Sequence, residues 1–243
     1  MRRAIARRAI ATYSDPGDLV VDPLCTDPTL PVVLEAIRQN RHAAAVIGSD
    51  IDEFVEFDER VSESRASGAS SEAVLLRGDP PELPRLLATQ ADRLLRRRRQ
   101  LQPDLAVHPG GSADLILTLL PATPPPGHTG FGVDDLLGAA AVVLRPGGYL
   151  VAATTTDDRN AGARDAGSET VARCEGLGLR YWQHIVALLV PIADGELQTA
   201  RPRQRAVEST TPLVVHQNVH VFRKPPTSEA NTGSEHTDAR RAA

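Results

Sequence analysis

Short apolar runs that close on an acid or a glycine alternate with stretches whose apolar residues recur at helical spacing. Leu19-Val20-Val21-Asp22, Ala44 to Asp50, Val74-Leu75-Leu76 before Gly78-Asp79, Ala113–Thr118 and Tyr149–Thr154 each have the profile of a buried parallel strand. Between them the pattern predicts helices at about Thr29–Gln39, Phe54–Ser64, Leu83–Gln100 and Val133–Leu144. A helix-compatible segment, Arg2 to Thr12, and a turn at Ser14–Asp18 precede the first strand. A helix at about Ser168–Glu175 and two late strands, Tyr181–Leu189 and Val214–Phe222, follow the fifth. The polar sequence from Lys224 onward has no core pattern, so the chain divides into one domain, 1–223, and a tail, 224–243, expected to be disordered.

Strands alternating with helices predict an α/β fold, doubly wound around a mostly parallel sheet. In such sheets ligands lie at the carboxyl ends of the strands. Asp22, Asp50 and Asp79 close three successive strands, and Asp50 follows Asp22 by 28 positions, the length of one βαβ unit. All three are expected at one sheet edge, around one cleft. A carboxylate there can accept hydrogen bonds from the ribose hydroxyls of a nucleoside cofactor. Acids at strand ends also cap the following helix, and both readings stand at this point.

The segment Ala9–Leu24, with its Ser14-Asp15-Pro16-Gly17-Asp18 turn and its strand ending Asp22-Pro23-Leu24, resembles the cofactor-binding opening of the DNA amino-methyltransferases that use S-adenosylmethionine. Ile47-Gly48-Ser49-Asp50 is similar to that family's second strand with its ribose acid, and Gly78-Asp79 to the turn that meets the adenine. Asp114–Thr118 resembles the strand leading to the catalytic loop, Leu144–Tyr149 the approach to the fifth strand, and Val219–Arg223 the closing strand. The resemblance spans about residues 5–223 in order. It implies a class I methyltransferase-like sheet with a late antiparallel strand, S-adenosylmethionine as cofactor, and Asp22, Leu24, Asp50 and Asp79 as its contacts.

The chain departs from the family at the chemistry. Where the resemblance calls for x-glycine-x-glycine-threonine after Leu24, the sequence reads Cys25-Thr26-Asp27-Pro28-Thr29. Side chains at positions 26 and 28 obstruct close backbone approach to the methionine half of the cofactor. Asp27 faces the ligand's own carboxylate, while Asp27-Pro28 suits a helix start. After Thr118 the family carries a polar acceptor, two prolines and an aromatic ring that stacks on the flipped base. Here the text is Leu119-Leu120-Pro121-Ala122. No catalytic residue is assigned, and S-adenosylmethionine is expected to bind weakly or not at all. Only 23 residues separate Pro121 from Arg145, too few for a target-recognition insertion.

Composition narrows the partners. With 27 basic and 31 acidic residues the net charge is −4, which makes no electrostatic trap for DNA. Lys224 is the sole lysine, so 26 of the basic residues are arginine. Arg2, Arg3, Arg7 and Arg8, or Arg96, Arg97, Arg98 and Arg99, are the segments able to meet phosphates, although a solvated helix face is the better account of each. Eight aromatic residues leave few rings for base stacking. Two cysteines, Cys25 and Cys174, form no disulfide framework and fit a reducing cytoplasm. No apolar run approaches the ~20 residues of a membrane helix, and His216 with His220 lacks a third ligand for a metal. Three functions follow: a non-catalytic scaffold or interaction protein, an S-adenosylmethionine-dependent methyltransferase on DNA or another substrate, and a nucleic-acid-binding remnant.

Overall fold

The computed structural model describes residues 1–27, 29–48, 71–101, 111–120, 130–154, 166–190, 192–193, 196–197 and 216–226. Asp50, the expected helix Phe54–Ser64, the proline-rich stretch 121–126 and the expected disorder beyond 226 lie outside the described residues. The elements are α1 Arg3–Tyr13, β1 Leu19–Asp22, α2 Pro31–Arg38, β2 His42–Ile47 and β3 Ala73–Arg77. A 3-10 turn, Pro80–Glu82, leads into α3 Leu83–Gln90 and α4 Asp92–Leu101, then β4 Ala113–Leu120, α5 Val133–Val143 and β5 Leu144–Thr154. The chain continues through α6 Ala166–Gly176, β6 Arg180–Leu188, a small hairpin of β7 Ile192–Ala193 and β8 Glu196–Leu197, and β9 His216–Arg223.

Seven strands form one sheet in the order β3-β2-β1-β4-β5-β9-β6. The first five are mutually parallel, and β9 runs antiparallel between β5 and β6. The order reverses on either side of β1 and β4, which is the switch point of a doubly wound sheet. This is the class I methyltransferase-like arrangement expected from the sequence, with its late antiparallel strand.

The period-2 alternation of each strand divides the core between two faces. On one face α3, α4, α5 and α6 bring Leu86, Leu94, Leu137 and Cys174 onto Val21, Val46, Ile116 and Phe222. On the other, α1 and α2 bring Ala6, Ile10, Val33 and Ile37 onto Val20, Ala45, Leu117 and Val151. Buried Glu35 joins these two helices by accepting from Arg38 at 2.9 Å and from Arg3.

Two expectations on helices are corrected. The stretch Leu83–Gln100 is two helices, broken at buried Ala91, because α3 packs on β3 and α5 while α4 turns to carry Arg98 to Asp114. The helix expected from about Thr29, with Pro28 at its first position, begins at Pro31. Pro31 supplies the pre-set φ for the first turn, and Leu30 precedes it in the left-handed region at φ 50°.

The glycines before Tyr149 have a structural reason. Gly147 has φ +81°, and a Cβ on Gly148 would lie 2.8 Å from the Asp114 carbonyl oxygen. Lys224, which the sequence reading placed in the tail, closes this corner. Its backbone N–H donates to Gly148 at 2.9 Å, and its ammonium caps the carbonyls of Ala141 and Leu144 at 2.8 and 2.7 Å.

Candidate functional site

Asp22, the last residue of β1, pairs with Ala45, and Ile47 pairs with Arg77 two residues before Asp79. Asp22 and Asp79 therefore lie at the carboxyl edge of the same parallel strands, as expected; Asp50 is outside the described residues. Beyond β1 the chain crosses β2, with the Cys25 N–H donating to the Val46 carbonyl at 2.9 Å. Leu24 and Cys25 are buried, so the Leu24 side chain is a core contact. The Asp27 carboxylate accepts from the Thr29 N–H at 2.9 Å and the Thr29 hydroxyl at 2.6 Å. That is an Asx-turn closing the loop on itself, the physical reason Asp27 does not cap α2.

Asp22 is deeply buried, and its carboxylate accepts from the Leu24 N–H at 3.2 Å. Burial raises its pKa to about 6, against the amino terminus, the Leu24 N–H and the Cys25 thiol, which all favour the charged form. Burial, with Asp22 adding to it, also pushes the Cys25 thiol well above its usual range, so it is an inert core thiol. Because the folded-state pKa of Asp22 lies above the ordinary 3.8, its protonation favours the fold. That contribution is complete below about pH 4 and is lost as pH rises through about 6. Asp22→Asn, which keeps the acceptor without the charge, is expected to gain about 2 kcal/mol at pH 7. Urea unfolding at pH 4 and pH 7 checks this. Wild type should lose more stability between the two than the variant, in which Asp18 still titrates, and an equal loss in both would refute it.

Asp79 sits at the head of the 3-10 turn, and its N–H donates to the Glu82 carboxylate at 3.2 Å. Asp79 is thus the N-cap of that turn. At the end of β4, Leu120 is buried and Leu119 is packed against the α1–α2 face, and neither side chain carries a hydrogen-bond acceptor. Elsewhere His220 stacks on His184 at 4.8 Å, and no metal-binding group of three occurs among the described residues.

The arginines divide sharply. Arg96 pairs with Asp92, Arg97 with Glu72, and buried Arg98 with Asp114 at 2.5 Å. In α1, Arg3 pairs with Glu35 and Arg2 donates to the Leu189 carbonyl, while Arg7 and Arg8 are exposed. The side chain of Arg99 lies outside the described residues. The Arg98–Asp114–Arg145 cluster escaped the sequence reading; the only signal for it was the spacing of Arg98 from Leu94 and Leu95 on one helix face. No helix among the described residues is long and apolar enough to cross a membrane.

No family model and no curated protein sequence matches this chain. Among solved structures it is similar to TrmN from Thermus thermophilus at 20% identity and a TM-score of 0.47, covering 92% of this chain and 49% of that one. It therefore spans about half of that protein's length. A SAM-dependent methyltransferase from Methanosarcina mazei is 14% identical over 89% of this chain and 97% of that one, with a TM-score of 0.49. The 16S rRNA (adenine(1408)-N(1))-methyltransferase from Catenulisporales acidiphilia, as a variant, is 14% identical over 93% of each chain, with a TM-score of 0.49. The strand order, not these likenesses, carries the fold: this chain has the class I methyltransferase-like, doubly wound α/β architecture.

Proposed function

We propose that this chain is a diverged member of the DNA amino-methyltransferase lineage that acts as a scaffold or interaction protein and does not methylate bases. The observation that carries this reading is the end of β4. Extracting a proton from an exocyclic amine and holding the flipped base needs an acceptor and a ring at that position. The Leu119 and Leu120 side chains provide neither; Leu120 is buried in the core and Leu119 packs, half-buried, against it. The loop after β1 supports the same reading. Thr26 and Pro28 carry side chains where backbone must approach the cofactor, and Asp27 sets a negative charge beside the ligand's carboxylate. These residues do not fit the methionine half of S-adenosylmethionine.

The test is calorimetric titration of the full chain with S-adenosylmethionine and with its demethylated product. No saturable heat at micromolar concentration is expected. A micromolar dissociation constant would overturn the scaffold reading in favour of a methyltransferase on another substrate.

A further inference from the structure

On the α1–α2 face of the sheet, no helix among the described residues lies over β9 and β6. Helix α1 runs beside them and is tied to the edge strand region near both of its ends. Arg2 donates to the Leu189 carbonyl at 3.4 Å, and Gln183 donates to the Tyr13 hydroxyl. Between these ties lies a slot of about 420 Å³. Ile5 and Ala9 form one wall, Ile185 and Ala187 the other, and Val151 and Val219 the floor. Ligand pockets are typically ~300–1,000 Å³ with apolar walls and few polar groups, and the slot has that character.

Its charge is one-sided. Among the described residues the lining contains no carboxylate, and its one ionised group there is Arg8, on the exposed side of α1 and without an ion-pair partner among those residues. A guanidinium recognises carboxylates through paired N–H donors, and its apolar stem lets the head follow the rim. The strand wall from Gln183 to Ala187 is about 13 Å long, enough for a chain of about ten carbons.

We propose that this slot binds an apolar monocarboxylate, with its chain over Val151, Val219 and Ile185 and its head on Arg8. The slot lies under α1 and not at the edge marked by Asp22 and Asp79, so it stands whether or not a nucleoside cofactor binds.

Octanoate, decanoate and decanol titrated calorimetrically into the full chain test this. Decanoate is expected to bind with a dissociation constant on the order of 10–100 µM. Two extra methylenes should make it about 15-fold tighter than octanoate. Arg8→Gln, at an exposed position, should weaken decanoate about tenfold without moving the melting temperature, and decanol should bind wild type equally weakly. Ala187→Phe fills the slot and should abolish binding. Trp182, the single tryptophan, has its ring 6.2 Å from Tyr149 beyond the Gln183 end, and its emission should report decanoate binding independently. No saturable binding up to millimolar decanoate, equal affinity for decanol, or undiminished binding in either variant overturns the proposal.

Discussion

Asp114→Ala is expected to destabilise the domain by about 3–5 kcal/mol, the cost of breaking a buried ion pair from one side. For a domain of this size that lowers the melting temperature by roughly 10 °C or more. Asp114 stands at the start of β4 with its side chain 1% exposed. It accepts from the Leu19 N–H at 2.6 Å, from Arg98 at 2.5 Å and from Arg145. Arg98, itself 5% exposed, also donates to the Ser112 carbonyl at 2.8 Å. Without Asp114 the buried guanidinium loses its hydrogen-bonded counter-charge and the β1 N–H loses its acceptor. Asp18, raised to about 6 by burial first and by Asp114 second, should then titrate lower. The double variant Asp114→Ala with Arg98→Met should recover part of the loss, because the stranded charge is gone. Thermal unfolding of the two variants decides the matter; a shift of under 2 °C for Asp114→Ala would show the cluster contributes little.

The second large effect is expected in the loop after β1. Thr26→Gly, Asp27→Ser and Pro28→Gly together should strengthen S-adenosylmethionine binding by roughly 30- to 1,000-fold, equivalent to about 2–4 kcal/mol. The changes remove two obstructing side chains and one like charge. They also remove the acceptor of the Asp27–Thr29 turn, which holds the loop closed at 2.9 and 2.6 Å. Adenosine, which has no carboxylate to repel, should gain less than the full cofactor. Parallel titrations of both ligands into wild type and variant provide the check. An equal gain for adenosine would mean that the charge of Asp27 is not the obstacle, and no gain for either would place the obstacle outside this loop. Adding Leu119→Asn to the triple variant supplies an acceptor at the end of β4, and a trace of amino-methylation is the expected outcome.

The sequence alone settled most of the strands, although β2 ends at Ile47 and not at Asp50, and β5 begins at Leu144, five residues before the expected Tyr149. Leu19–Asp22, Ala113–Leu120 and the late pair Arg180–Leu188 and His216–Arg223 all lie within one or two residues of where apolar runs placed them. The positions of Asp22 and Asp79 at one edge followed too, since strand ends in a parallel sheet share a direction. The departures at Cys25–Thr29 and at Leu119-Leu120 were likewise plain from residue type, because a leucine offers no acceptor in any fold.

Tertiary structure decided whatever depends on partners distant in the chain. The arginine run of α4 reads as a basic face, yet Arg97 reaches Glu72 and Arg98 reaches Asp114, and neither partner is visible at helical spacing. The break at Ala91 has no glycine or proline to announce it; packing on two different neighbours imposes it. Asp27 has the residue type of a helix cap, but its hydrogen bonds to Thr29 and the proline at position 31 moved the helix start. The slot beneath α1 is also a product of assembly, formed on the face of β9 and β6 over which no helix among the described residues lies. Local pattern fixes which residues can be strand, helix or core, because that depends on period and side-chain chemistry. Which charges are neutralised, and which apolar faces stay open, depends on contacts made only once the sheet has closed.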